Sequence, residues 1–267
     1  MQTLPAEALF DVHVQHVATE GATATMRMPG EADGRVSSLG WLGTLADVVT
    51  GRAIMALTPG NVYCQTVSLR LDVGDRPPVL GERLIATGEV IGATESFALC
   101  QARIQGEDGR TVALGTARFA LTEVDGGDGR EVGAPRSGSV ATSDDLRHLL
   151  QMEVLESEPG RVAFGASPSE GLGNQNGVVH GGVHTGYADV LLTQAVASAS
   201  SADSPCLLDL TLTYHRPIPI DGTSLRMEAA VDRLGRRVAV ASGTILSPAG
   251  TVLTSVSGTF ALPNSDA

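Results

Sequence analysis

The chain repeats itself. Residues 81–121 can be laid on residues 222–262 without a gap, at a constant offset of 141. Nine of the 41 pairs are identical, including Gly81/Gly222, Leu84/Leu225, Ile104/Ile245, Gly109/Gly250 and Phe119/Phe260. The turn glycines and the apolar positions stay in register throughout. Upstream, LGWLGTLADVV (39–49) matches GGVHTGYADVL (181–191) at an offset of 142, with Asp47 over Asp189. Each copy must then form the same structural unit, a constraint stronger than any from composition. Between the copies, EVDGGDGREVGAPRSGSVATS (123–143) is rich in Gly, Ser and charge and lacks apolar periodicity, so it reads as a linker. We expect two units, 1–123 and 144–267, joined by a linker at 124–143.

The order of elements is the same in both units. Two short alternating stretches come first, FDVHVQHV and ATATMRM, then LQMEVLES and RVAFGAS, each reading as a strand pair. A Gly-rich loop follows, then one amphipathic helix of four to five turns. Its apolar stripe is Leu42, Leu45, Ala46, Val49, Ala53 and Ile54 in the first unit, and Val183, Tyr187, Val190, Leu191 and Ala195 in the second. Four strands close each unit. The expected fold is α+β: two tandem units, each a central helix wrapped by an antiparallel sheet, pairing edge to edge as an intramolecular pseudo-dimer.

A net charge of −12 argues against a broad nucleic-acid or anionic-membrane surface, since both need a concentrated positive field. All 18 basic residues are arginine. The absence of lysine excludes Schiff-base chemistry and a lysine-dependent phosphate loop. Cys64, Cys100 and Cys206 are far apart and read as small buried or half-buried thiols in a reducing compartment. The N-terminus shows no basic segment followed by an apolar run, and the most apolar helical stretch, near Ala188–Ala199, is too short to span a bilayer. We expect a cytoplasmic protein without membrane association.

The second unit contains GNQNGVVHGGVHTGYAD (173–189), a Gly-rich loop running into the start of the central helix. Free N–H groups and the positive end of the helix dipole meet there. Gly181 and Gly182 let a ligand approach the backbone, which suits a developing oxyanion. The bland alternative is that two glycines simply start a helix that packs tightly on the sheet. Asp189 lies about 12 Å further along the same helix axis, too far to share a carbonyl carbon with Gly181. An antiparallel partner helix solves this. Asp47 of the first unit can meet Gly181, and Asp189 can meet Gly40.

This segment resembles the signature of the hot-dog-fold acyl-CoA thioesterases, in particular the phenylacetate-pathway (PaaI-like) group: N-x-x-G-x-x-H-G-G followed by an acidic residue. The matching residues are Asn174, Gly177, His180, Gly181, Gly182 and Asp189. TYHRPIPIDGTSL (213–225) is similar to that family's Y-x-R-P strand segment. The resemblance implies an acyl-CoA substrate, a helix-start glycine amide polarising the thioester carbonyl, and Asn174 holding the thioester or the attacking water. It also implies an Asp from the partner unit as nucleophile or general base, with His180 structural. No cofactor or metal is implied.

The first unit departs from the pattern. Ser38 stands where His180 does, Leu39 where Gly181 does, and no Asn matches Asn174, while Gly40 and Asp47 are kept. We expect one fully equipped site, Asn174, Gly181 and Asp47, and a weakened one built on Gly40 and Asp189. The residues named as catalytic are Asp47, Asn174, Gly181 and Asp189. Gly40, His180, Gly182, His184 and Arg216 are the substrate-binding candidates, Arg216 for a CoA phosphate. His184 is otherwise read as a surface or interface histidine. The i, i+4 pair His180 and His184 lacks the intervening Glu and third ligand of a metal site. His13 and His16 are expected exposed, and His148 without a partner. The competing functions are a non-catalytic acyl-CoA sensor, and a hydratase, which would need a His–carboxylate motif that is not visible. Homo-oligomers of the pseudo-dimer are expected.

Overall fold

The computed structural model describes residues 3–30, 38–123, 145–200 and 205–262. The linker expected at 124–143 and the segment 31–37 lie outside these. The first half runs α1 (Pro5–Leu9), β1 (Val12–Ala18), β2 (Gly21–Arg27), α2 (Leu42–Leu57), β3 (Val62–Val73), β4 (Arg83–Ala93), β5 (Phe97–Gly106) and β6 (Thr111–Glu123). The second repeats that order with α3 (Leu146–Leu149), β7 (Glu153–Glu158), β8 (Arg161–Ala166), α4 (Val183–Ala199), β9 (Cys206–Tyr214), β10 (Leu225–Leu234), β11 (Val238–Leu246) and β12 (Val252–Ala261).

The described strands form one sheet in the order β1-β2-β4-β5-β6-β3-β9-β12-β11-β10-β8-β7, a palindrome of the two halves. The halves join where β3 and β9 pair antiparallel, with Ser68 opposite Thr213 and Leu71 opposite Leu210. Two edges that would otherwise be open are thereby closed. Strand register repeats with the sequence. Cys100 faces Ala117 as Ala241 faces Gly258, and a bulge at Val90/Gly92 recurs at Val231/Arg233.

Helix periodicity was legible, but only in part. Every residue of the expected α2 stripe is buried. In α4, however, residues 183–189 are all buried, including the whole circumference of the first turns, while Val190 is only half-buried. The reason is that α4 lies between its own sheet and α2, so its N-terminal turns have no solvent side. Each fully buried Leu or Val in this layer contributes roughly 1.5–3 kcal/mol relative to exposure. Two short helices, α1 and α3, were not anticipated, and each precedes the first strand of its half. His148, read as lacking a partner, sits in α3 with Nδ1 3.3 Å from Asp145 Oδ2. His13 and His16 are exposed, as expected. Among the described residues no helix is long and apolar enough to cross a membrane.

Candidate active site

The two central helices approach through glycine. A Cβ on Gly182 would collide with the backbone of Gly43 and Thr44 in α2. This contact sets Asp47, on α2, beside the first amides of α4, where the helix dipole favours a carboxylate. Gly182 N–H donates to Asp47 Oδ2 at 3.0 Å and is shared with His180 Nδ1 at 3.2 Å. His180 Nδ1 itself lies 3.4 Å from Asp47 Oδ2. The hydroxyl of Thr66, on β3, donates to Asp47 Oδ1 at 2.9 Å. Asp47 is thus held by donors from both halves while its residue stays 7% exposed.

The next amide is free. Val183, His184 and Thr185 donate their N–H groups to His180, Gly181 and Gly182 carbonyls, but Gly181 N–H has no partner among the described residues. It borders a cleft whose wall includes Asp47, Thr66, Asn174, Gly181, Tyr214 and Arg216. The Asn174 side chain is oriented by accepting from Asn176 N–H at 2.8 Å. That bond occupies its Oδ1 and leaves the amide donors without a partner among the described residues. Arg216 is exposed at the rim.

The first half helps build the cleft. Ala6 N–H in α1 donates to Gly173 O at 3.2 Å, docking that helix on the loop before Asn174. Glu7, 2% exposed, pairs with Arg52 at 2.6 Å and accepts from Leu4 N–H at 3.0 Å, a buried ion pair on the cleft wall. Asn176 Nδ2 donates to Tyr63 Oη at 3.2 Å across the halves.

The pseudo-symmetric place is built otherwise. Asp189 Oδ2 accepts from Gly40 N–H at 2.6 Å and Ser38 Oγ at 2.5 Å, and its Oδ1 accepts from Thr193 at 2.9 Å. Burial raises its pKa, opposed by these three donors. The buried Leu39 stands where Gly181 stands in the other site. Leu207 stands where Thr66 does, each paired to the equivalent phenylalanine, Phe260 or Phe119.

Sequence reasoning brought Asp47, Gly181 and Asn174 to one cleft, and the structure places them together. Of the binding candidates, His180, His184 and Arg216 line the cleft, and Gly40 and Gly182 do not. Gly40 and Gly182 are buried, their amides are engaged by Asp189 and Asp47, and both lie where the two helices pack closely. His184 is not a surface residue. It is 2% exposed, its Nδ1 lies 2.9 Å from Thr254 Oγ1, and its ring packs against Tyr214 at 5.0 Å. Thr66 and Tyr214 were missed as site residues. Thr66 belongs to no motif, and Tyr214 lay inside a quoted motif without a role.

Burial, and then the neighbouring His180, push the His184 imidazole down to about 3, so it is neutral across the physiological range. An unfolded histidine titrates near 6.5. Between these values the unfolded chain binds the extra proton. The contribution of His184 to stability is therefore complete above about pH 6.5 and is lost as the pH falls toward 3, by at most about 1.4 kcal/mol per pH unit. His184→Leu is expected to flatten that decline. Urea melts at about pH 7 and pH 4.5 check it; an unchanged pH difference in the variant removes His184 as its source.

Comparison with known proteins fits this geometry. Residues 176–254 match the Thioesterase superfamily. A TesB protein from Mycobacterium avium subsp. paratuberculosis superposes with a TM-score of 0.71 at 15% identity, covering 98% of this chain and 100% of that one. The fold is a double hot-dog. An acyl-CoA thioesterase II from Mycobacterium marinum shares it with a TM-score of 0.64 at 15% identity, covering 98% of this chain and 99% of its own. So does a 12:0-ACP thioesterase from Umbellularia californica, with a TM-score of 0.60 at 12% identity and coverage of 89% and 92%. A search of curated protein sequences found no match. Within the double hot-dog, the superfamily match spans the Asn176–Gly182 loop, all of α4 and β9, the elements that carry Gly181 and Tyr214.

Proposed function

We propose that this double hot-dog protein is a thioesterase that hydrolyses an acyl-CoA to free acid and CoA. The observation that carries the reading is the unpartnered N–H of Gly181, just before α4, on a residue that lines one cleft with the Asp47 carboxylate supplied by the other half. A thioester carbonyl oxygen docked on Gly181 N–H, with an Asn174 amide donor beside it, meets hydrogen bonds that strengthen as negative charge develops. Asp47 then either takes a proton from an attacking water or attacks the carbonyl carbon itself. On the first route the acyl–sulfur bond breaks and the proton that Asp47 took from water passes to the leaving sulfur. On the second, CoA leaves as a thiolate that is protonated by water, and a water molecule then hydrolyses the acyl–Asp47 anhydride to the free acid. Coenzyme A as carrier is supported by the Mycobacterium marinum neighbour, an acyl-CoA thioesterase II, and Arg216 at the rim offers a guanidinium to a phosphate.

A sensor would bind the same ligand but would not require a carboxylate beside a free amide. Thiol release measured on short, long and aromatic acyl-CoAs decides between them. Micromolar binding without release from any of the panel overturns the enzyme reading in favour of a sensor.

Gly181→Ala probes the site directly. The added Cβ would lie 2.7 Å from Asp47 Oδ2 and 3.2 Å from Thr66 Oγ1. Both are side-chain atoms that can yield, so the fold is expected to survive while the carboxylate is displaced. A fall in kcat of roughly 100-fold is expected, the scale of losing one transition-state contact. Steady-state rates and a thermal melt on the same preparation test it; wild-type rates would remove Gly181 from the reacting centre.

A further inference from the structure

The second half holds a polar trio, two members buried and Tyr214 half-buried, that the repeat does not require. Tyr214 on β9, His184 on α4 and Thr254 on β12 pack together: Tyr214 pairs with Thr254 across the strands, His184 bonds Thr254, and the His184 and Tyr214 rings touch. At the equivalent places the first half carries Val73, Leu42 and Ala113, with Val73 paired to Ala113 in the same register. All three of those residues are apolar. A unit of this fold thus closes its core without polar groups here, and burying a hydroxyl or imidazole is unfavourable unless it is well bonded. The trio stands only in the half that supplies Gly181.

Its outlet is one peptide unit. Tyr214 Oη donates to the Gly181 carbonyl at 2.7 Å, which also accepts from His184 N–H at 3.3 Å. The N–H of that same peptide belongs to Gly182 and donates to Asp47 Oδ2 at 3.0 Å. A peptide that accepts at its oxygen donates more strongly at its nitrogen, so the bonds reinforce one another. Burial and the adjacent Asp47 charge hold the Tyr214 phenol well above its usual 10, which keeps it a donor. Glycine at 181 and 182 gives the segment little steric restraint of its own, so the peptide plane needs an outside anchor.

We propose that Tyr214, backed by His184 and Thr254, is the positioning residue of this site: it fixes the Gly181–Gly182 peptide so that Gly182 N–H grips Asp47 while Gly181 N–H is left facing the cleft. The proposal rests on the thioesterase reading for its rate prediction but not for its structural one. Tyr214→Phe keeps the ring and removes only the hydroxyl. The triple variant Tyr214→Val, His184→Leu and Thr254→Ala installs the first half's residues.

Two readouts are taken on the intact protein. Thiol release should show kcat reduced roughly 10- to 100-fold in Tyr214→Phe, with KM within about threefold. Amide hydrogen exchange should accelerate roughly tenfold at Gly182, the scale of losing one buried hydrogen bond, without a matching rise across β9 and β12. The triple variant should stay folded and lose at least as much activity. Tyr214→Phe with unchanged Gly182 exchange overturns the proposal, whatever the activity. Acceleration spread evenly over the core also overturns it, because that marks a packing role only. If the parent releases no thiol, the thioesterase reading falls while the exchange result still decides the peptide's anchor.

Discussion

Asp47→Ala is expected to lower kcat for acyl-CoA hydrolysis about 1000-fold or more, whereas Asp189→Ala should lower it less than about tenfold. The two carboxylates occupy equivalent places, so this difference isolates what surrounds them. Asp47 lies beside a free amide, Gly181 N–H, on an open cleft. Asp189 is buried and accepts from Ser38, Gly40 and Thr193, with Leu39 where the free glycine would be. Removing Asp189 should register in stability instead, by about 1–3 kcal/mol, because its three donors lose their acceptor. Steady-state kinetics and thermal melts of both variants test the division. Equal losses of activity would sink it, and a stable, slow Asp189→Ala would mean that its site also turns over.

The largest structural effect is expected at Gly182. Alanine there drives its Cβ into the α2 backbone at Gly43 and Thr44, and backbone cannot move aside as a side chain can. The helices must separate, at about 3 kcal/mol or more, lowering Tm by roughly 10 °C. Gly51 is the contrast. It sits within α2, and its added Cβ would meet nothing nearer than the Phe119 ring at 3.9 Å. Gly51→Ala should therefore stabilise the chain by up to about 1 kcal/mol through helix propensity. Melts of the two variants at equal protein concentration decide the matter. Matching Tm values would show that the close approach of α2 and α4 is wrong.

The separation between these two glycines marks the limit of reading the sequence. Gly182 stands just before α4 and Gly51 within α2; no local pattern shows how closely either is packed, and only the crossing of α2 and α4 makes Gly182 indispensable. His184 carries the same lesson. It was read as a surface or interface histidine, and the burial of the first turns of α4 on all sides put it in the core. Asp47, by contrast, was legible, because the repeat aligned it with Asp189 and helix rise forbade either from serving the glycine on its own helix. The Asn174-to-Gly182 motif marked the loop that lines the cleft.

By itself, the sequence determined the repeat, the order of strands and helices, and the need for each carboxylate to cross to the other half. These follow from side-chain periodicity and rise per residue, which act over a few residues and are copied twice. Only the tertiary structure decided which amide stays free, that Thr66 and Tyr214 join Asp47 and Gly181, and that Gly40 and Gly182 lie where the two helices pack closely. Those depend on strand register and on hydrogen bonds between residues far apart in the chain, as Asp47 to Gly182 or Ser38 to Asp189. No local pattern encodes such partners, because each donor finds its acceptor only after the sheet has closed around both helices.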